Sequence, residues 1–127
     1  MVGVFAMIKK AERSFHNGAR YWRLQRITAV LLIPFCIWFL AEVVFYTQSD
    51  YQAVLRWAAQ PWIGAALALF VGLIFYHGAL GLQVVIEDYV PNSLWQNILI
   101  MKIKIFSLIM AVLSWFFIIR IAIIANG

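Results

Sequence analysis

The sequence predicts an all-α transmembrane protein of three helical spans, with its N-terminus cytoplasmic and its C-terminus periplasmic. Three observations lead there. Of the 127 residues, 65% are hydrophobic and 12% are charged, whereas a soluble domain is about half apolar and about a quarter charged. So few charges cannot cover a water-soluble particle of this length, and the remaining solvent is lipid. The charges also mark off three apolar runs, each near the roughly 20 helical residues that cross a hydrocarbon core. Finally, aromatic residues reach 17%, as suits amphipathic rings that settle at the headgroup level.

Residues 1–26 form a basic N-terminal segment, cytoplasmic or interfacial, and residues 27–127 form the membrane domain. The first span, 27–47, contains Glu42 as its one ionisable side chain before Tyr46. It also contains Pro34, which a membrane helix tolerates and which is expected to kink it. The second span, 62–86, follows Gln60 and Pro61 at an interfacial entry, and no charge occurs between Trp57 and Ile86. Glu87, Asp88, Pro91 and Asn92 end it, because two carboxylates and a Pro-Asn turn do not continue into lipid. The third span, 98–124, begins beside Lys102 and Lys104, assigned to the preceding loop unless they snorkel, and Arg120 lies near enough to its far end to snorkel.

Orientation follows from lysine and arginine alone. Lys9, Lys10, Arg13, Arg20, Arg23 and Arg26 precede the first span, and Lys102 and Lys104 belong to the second loop, against Arg56 and Arg120 on the other side. This pattern accounts for the formal charge of +5 with membrane lipids as the partner and no nucleic acid. The N-terminal segment does not read as a cleaved signal peptide, which would have a shorter apolar run close behind its basic region. Arg20, Arg23 and Arg26 share one helical face, which serves either as an anchor to lipid phosphates or as a cluster aimed at an acidic partner or the carboxylates of a cofactor. The single cysteine, Cys36, excludes a disulfide framework, a cysteine-held iron–sulfur cluster and covalent haem attachment, and reads as a packing residue.

His77 is the titratable side chain inside the second span, about 15 Å of helical rise from Glu87. A histidine there marks a ligand, a proton relay or a pathway, or else is a neutral ring bonded to a carbonyl. Gly81 lies about 40° round the helix from it, and Val84 and Asp88 within about 20°, so these residues form one stripe. Gly81, lacking a side chain one turn away, leaves room for something flat, such as a porphyrin held axially by the imidazole. Ligation requires Nε2 to be free, so Nδ1–H is expected to donate to a carbonyl, that of Leu73 one turn back. Gly64, Ala68 and Gly72 form a small-residue row for helix packing, and Gly78 fits the same reading. His16 reads as an interfacial, solvated side chain, so a six-coordinate haem needs its second histidine from another chain. Asp88 and Tyr89 sit at the cytoplasmic interface, suited to proton exchange and to a phenol hydrogen bond, or simply to interfacial anchoring. Glu42, Asp50 and Arg56 read as solvated at the opposite face.

The stretch His77-Gly78-Ala79-Leu80-Gly81-Leu82-Gln83-Val84-Val85-Ile86-Glu87-Asp88-Tyr89-Val90 resembles the second-helix signature of the small cytochrome b anchor, the D subunit, of succinate dehydrogenase, respiratory complex II. Arg26-Ile27-Thr28-Ala29 is similar to the Arg-x-Thr-Ala that opens that family's first helix. The resemblance implies a haem b shared with a second anchor, the C subunit, with His77 as one axial ligand to the iron and Gly81 giving the ring clearance. It implies Arg26 near the haem propionates, where a guanidinium fits a carboxylate by two donors. It also implies Tyr89 hydrogen-bonding ubiquinone, with Asp88 beside it. An iron–sulfur subunit and a flavoprotein subunit would then deliver electrons from succinate to the quinone, and the chain alone would catalyse nothing. The expected location is a bacterial inner membrane or the mitochondrial inner membrane. Two other classes stay open on the residues: a haem b anchor of another respiratory complex, such as a quinol:fumarate reductase, a hydrogenase or a formate dehydrogenase, and a small structural or transport protein in which His77 is packed or relays protons.

Overall fold

The computed structural model describes residues 2–126, apart from the side chains of residues 13–17. Four helices follow one another: α1 (Val2–Tyr46), α2 (Tyr51–Ala58), α3 (Pro61–Tyr89) and α4 (Ser93–Asn126). Three of them, α1 from Gly18 onward, α3 and α4, are long and apolar enough to cross a membrane. The basic N-terminal segment is continuous with the first span in one helix, which runs through Pro34 without a break in its assignment.

The helix ends are set by local chemistry. Asp50 caps α2, its carboxylate accepting from the Ala53 amide at 2.9 Å, and Pro61 opens α3 at a position where its missing N–H costs nothing. At the other end of α3, Val90 is extended, and the Asn92 side chain accepts from the amide of Leu94 at 2.9 Å to start α4. The Gln96 amide donates to the carbonyls of Glu87 and Val90, closing the turn. The connection is therefore only Val90–Asn92. Lys102 and Lys104, assigned from the sequence to the second loop, lie on α4 in its third and fourth turns. Helix-forming residues Leu94 to Met101 carry the helix back through the polar zone before the lysines are reached.

α3 lies between α1 and α4 and packs more extensively on α4. Its small-residue row is what α4 approaches: the Trp115 ring would stand 3.3 Å from a Cβ at Gly72, and Trp115 Nε1 donates to the Ala68 carbonyl at 2.9 Å. Ile118 packs beside Gly64, and the Asn126 amide donates to the Ala59 carbonyl at 3.1 Å. α1 offers α3 a heptad-spaced stripe, Tyr21, Gln25, Thr28, Leu32, Phe35, Phe39, Glu42 and Tyr46, all buried or half-buried. Phe35 stacks on Phe70 with centroids 6.0 Å apart, and Phe39 meets the same ring at 5.2 Å. Two sequence readings change here. Glu42 is half-buried on that stripe rather than solvated, and Cys36 is exposed rather than packed, because it falls about 80° away from Thr28 round the helix. The outer end of the bundle holds an aromatic group in which Trp57 of α2 meets Trp38 and Tyr46 of α1.

These contacts fix how the helices stand against one another, antiparallel in sequence order. Thr28 is level with His77, Gln25 with Gly81, and Trp115 with Ala68 to Gly72. At 1.5 Å per residue, Arg26 and Arg23 stand about 3 Å and 7.5 Å above Thr28, and Lys104 and Lys102 about 6 Å and 9 Å above His77. The cations of α1 and α4 thus form one belt. Below it each helix has about 20 residues left, roughly 30 Å, which is the hydrocarbon thickness. His77 lies about one turn beneath this belt, and the ends of α3 and α1 that carry Tyr89 and residues 2–20 rise above it.

The α3–α4 seam predicts a difference between two glycines. Gly72→Leu must displace Trp115 and break its bond to Ala68, and is expected to lower stability by about 1–3 kcal/mol. Gly64→Ala adds a Cβ at an ordinary 3.7 Å from Ile118 and is expected to change little. Tryptophan-monitored thermal unfolding in detergent compares the two.

Candidate haem and quinone site

The bundle's most consequential polar contact joins α1 to α3. His77 Nδ1 lies 2.9 Å from the Thr28 hydroxyl oxygen. That same oxygen is 2.8 Å from the Leu24 carbonyl and 3.0 Å from the Gln25 carbonyl, the backbone partners that a helical threonine ordinarily reaches. Thr28 is only 5% exposed, and His77 is half-buried. The Leu73 carbonyl expected from the sequence is therefore not the partner of Nδ1. The reason is packing: α1 approaches close enough to put a hydroxyl beside the ring, and the carbonyl one turn back keeps its own helical bond. The sequence shows Thr28 only as part of the Arg-x-Thr-Ala resemblance and gives it no role; its place on the heptad stripe of α1 is the signal that turns its hydroxyl toward α3.

Gly81 serves a close approach. A Cβ built there would stand 3.6 Å from Gln25 Nε2, so on the α1 side the gap beside Gly81 is filled by the Gln25 amide. Arg26, two residues from Thr28, points about 160° away from it round α1. Its exposed guanidinium lies over the Trp22 ring, 4.5 Å from the centroid, a cation–π arrangement. Within this chain the structure brings His77 and Gly81 onto the α1-facing side of α3 and does not bring Arg26 to them. His16, read from the sequence as interfacial, lies outside the described side chains.

Further up α3, Gln83 is 6% exposed and donates from Nε2 to Glu87 at 3.0 Å. Its Oε1 has no hydrogen-bond partner among the described residues. Asp88 is exposed and Tyr89 is 81% exposed, standing about 16–18 Å above His77 in helical rise. Tyr89 points about 120° away from His77 round the helix, so the phenol and the imidazole serve different heights and different sides of α3. Among the described residues there is no group of three or more His, Cys, Asp or Glu side chains that could hold a metal ion.

Comparison with known proteins bears on this arrangement. The model of the succinate dehydrogenase/fumarate reductase transmembrane subunit family matches residues 9–114. The succinate dehydrogenase hydrophobic membrane anchor subunit of Rickettsia bellii is 36% identical over 106 residues, covering 82% of this chain and 85% of that protein. The protein of the same description from Rickettsia felis is 33% identical over 104 residues, covering 82% and 84%. The succinate dehydrogenase membrane anchor subunit of Reclinomonas americana is 28% identical over 96 residues, covering 72% and 79%. No solved structure matches the chain.

Proposed function

Because the chain belongs to the succinate dehydrogenase/fumarate reductase transmembrane subunit family and is a multi-pass membrane anchor subunit of a succinate dehydrogenase complex, we propose that it carries one axial ligand of a shared haem b and part of the ubiquinone-reduction site. The observation that supports the haem role is the partner of His77. A ring whose Nδ1 is engaged by Thr28 at 2.9 Å has its Nε2 left for the iron, and the donor chemistry fits a neutral imidazole ligand. Haem bound there would supply a one-electron carrier.

In this reading the protein's own groups bind and orient. His77 would hold the iron on α3; the space at Gly81 one turn above is taken by the Gln25 amide on the α1 side, so any clearance it gives a porphyrin edge would lie on its other flank. Arg26, exposed, resting on Trp22 and about 3 Å above the level of Thr28, would offer its guanidinium to the haem propionates from the outer side of α1, and the C-subunit anchor would supply the other histidine. Tyr89 donates its phenol proton to a quinone carbonyl, and Asp88 beside it exchanges protons with water. Both stand above the cation belt, where the iron–sulfur subunit would dock and pass on electrons that the flavoprotein subunit draws from succinate. Residues 1–26 form the basic cytoplasmic or interfacial segment and 27–127 the anchor domain, with the N-terminus cytoplasmic and the C-terminus periplasmic in a bacterial inner membrane, or the equivalent sides of the mitochondrial inner membrane.

Purification in mild detergent is expected to yield a complex with b-type haem absorption together with flavin- and iron–sulfur-containing partners, and His77→Ala is expected to abolish or shift the haem bands. A preparation with neither haem nor these partners would overturn the assignment. Tyr89→Phe removes one hydrogen-bond donor and is expected to lower quinone reduction about tenfold, while succinate oxidation with an artificial acceptor persists. A C-terminal alkaline phosphatase fusion is expected to be active and a C-terminal green fluorescent protein fusion dark, as a periplasmic end requires.

A further inference from the structure

We propose that Thr28 is a positioning residue for the haem iron. Its hydroxyl oxygen accepts from His77 Nδ1–H, fixes that tautomer and presents the Nε2 lone pair to the metal. The proposal rests on the haem reading above and concerns a residue that touches only the ligand.

The inference comes from counting protons around one oxygen. Thr28 Oγ1 has three neighbours at hydrogen-bond distance: the Leu24 carbonyl at 2.8 Å, the Gln25 carbonyl at 3.0 Å and His77 Nδ1 at 2.9 Å. A hydroxyl has one proton to donate and two lone pairs to accept with. Both carbonyls can only accept, so the hydroxyl proton is directed at them. The remaining neighbour, Nδ1, is then the donor. A neutral imidazole with its proton on Nδ1 has its lone pair on Nε2, the form that ligates a metal. The reverse arrangement, with the hydroxyl donating into Nδ1, would leave a proton on Nε2 and close that nitrogen to iron.

Burial makes the preference effective. Thr28 is 5% exposed and lies below the cation belt, so water does not compete for either group. The two carbonyls polarise the hydroxyl, which strengthens its oxygen as an acceptor. An accepted Nδ1–H bond in turn raises the basicity of the ligating nitrogen, which favours ferric over ferrous iron. The same contact fixes the ring plane relative to α1, whose other contacts with α3 are mainly aromatic stacking and the approach of Gln25 to Gly81.

The test uses the assembled complex with Thr28→Val, which keeps the shape and removes the hydroxyl, and Thr28→Ser, which keeps the hydroxyl. Redox titration and the low-spin haem spectrum are the readouts. The valine variant is expected to raise the haem midpoint potential, shift the spectrum and weaken haem retention about 10–100-fold, while the serine variant behaves as wild type. Wild-type potential and spectrum in the valine variant would overturn the proposal, as would a serine variant that behaves like valine. If valine prevents assembly, Thr28→Ala removes the hydroxyl without bulk and is expected to show the same shift. Failure of both while serine assembles would make the hydroxyl purely structural and overturn the positioning role. Failure of the haem reading itself is distinguishable, since the wild-type complex would then lack haem or keep it unchanged in His77→Ala.

Discussion

An imidazole about one turn below the surface of a hydrocarbon slab must have its polar nitrogens satisfied, and this requirement organises the site. Water does not reach it freely, and an unpartnered polar group in an apolar medium costs several kcal/mol. The Thr28 hydroxyl meets half of that requirement at 2.9 Å. An interhelical hydrogen bond of this kind adds only about 0.6–2 kcal/mol to helix association, so its importance is directional. It ties α1 to α3 at one height, and with the phenylalanine stacks it fixes how far each helix extends beyond the membrane.

That registration gives the rest of the molecule its meaning. With Thr28 level with His77, the arginines of α1 and the lysines of α4 fall into one belt, and each helix retains the length needed to cross the hydrocarbon below it. Above the belt, α3 continues to Tyr89 and α4 begins at Ser93, so the short Val90–Asn92 turn and its Gln96 clasp stand in the aqueous phase. The exposed Asp88 and Tyr89 sit at that end of the bundle, about 16–18 Å of helical rise from His77.

The three spans were legible because lipid enforces apolar runs of fixed length, and charge is the only feature needed to delimit them. His77, Asp88 and Tyr89 were legible for the complementary reason that a polar side chain stands out in such a run. The residues that complete the site were harder to see. Thr28 and Gln25 acquire roles only through the approach of another helix, and sequence spacing along α3 carries no information about α1. The turn at Pro91 and Asn92 was readable as a stop. The early restart of α4 at Ser93 was not, because Leu94 to Met101 suit a helix in water or in lipid equally, so Lys102 and Lys104 were placed in a loop. Hence the sequence put the end of the second span at Ile86, and the packed structure draws the belt nearer to His77.

The core shows how little of this chain is buried within itself. Among the described residues the buried hydrophobic ones are Ala59, Ile63, Phe70, Leu80 and Ala111, three of the five on α3, while large apolar side chains on α1 and α4 face outward. Lipid covers such faces without cost, because it is as apolar as the side chains themselves, so outward apolar surface by itself demands no partner. The polar exceptions do. A buried Gln83 oxygen without a partner among the described residues and an imidazole with one nitrogen engaged are groups that hydrocarbon cannot satisfy. They lie at or near the cation belt, on the part of the bundle closest to the aqueous phase. It is there, and not along the lipid-facing spans, that the chain's own polar groups are left to be met by something other than hydrocarbon.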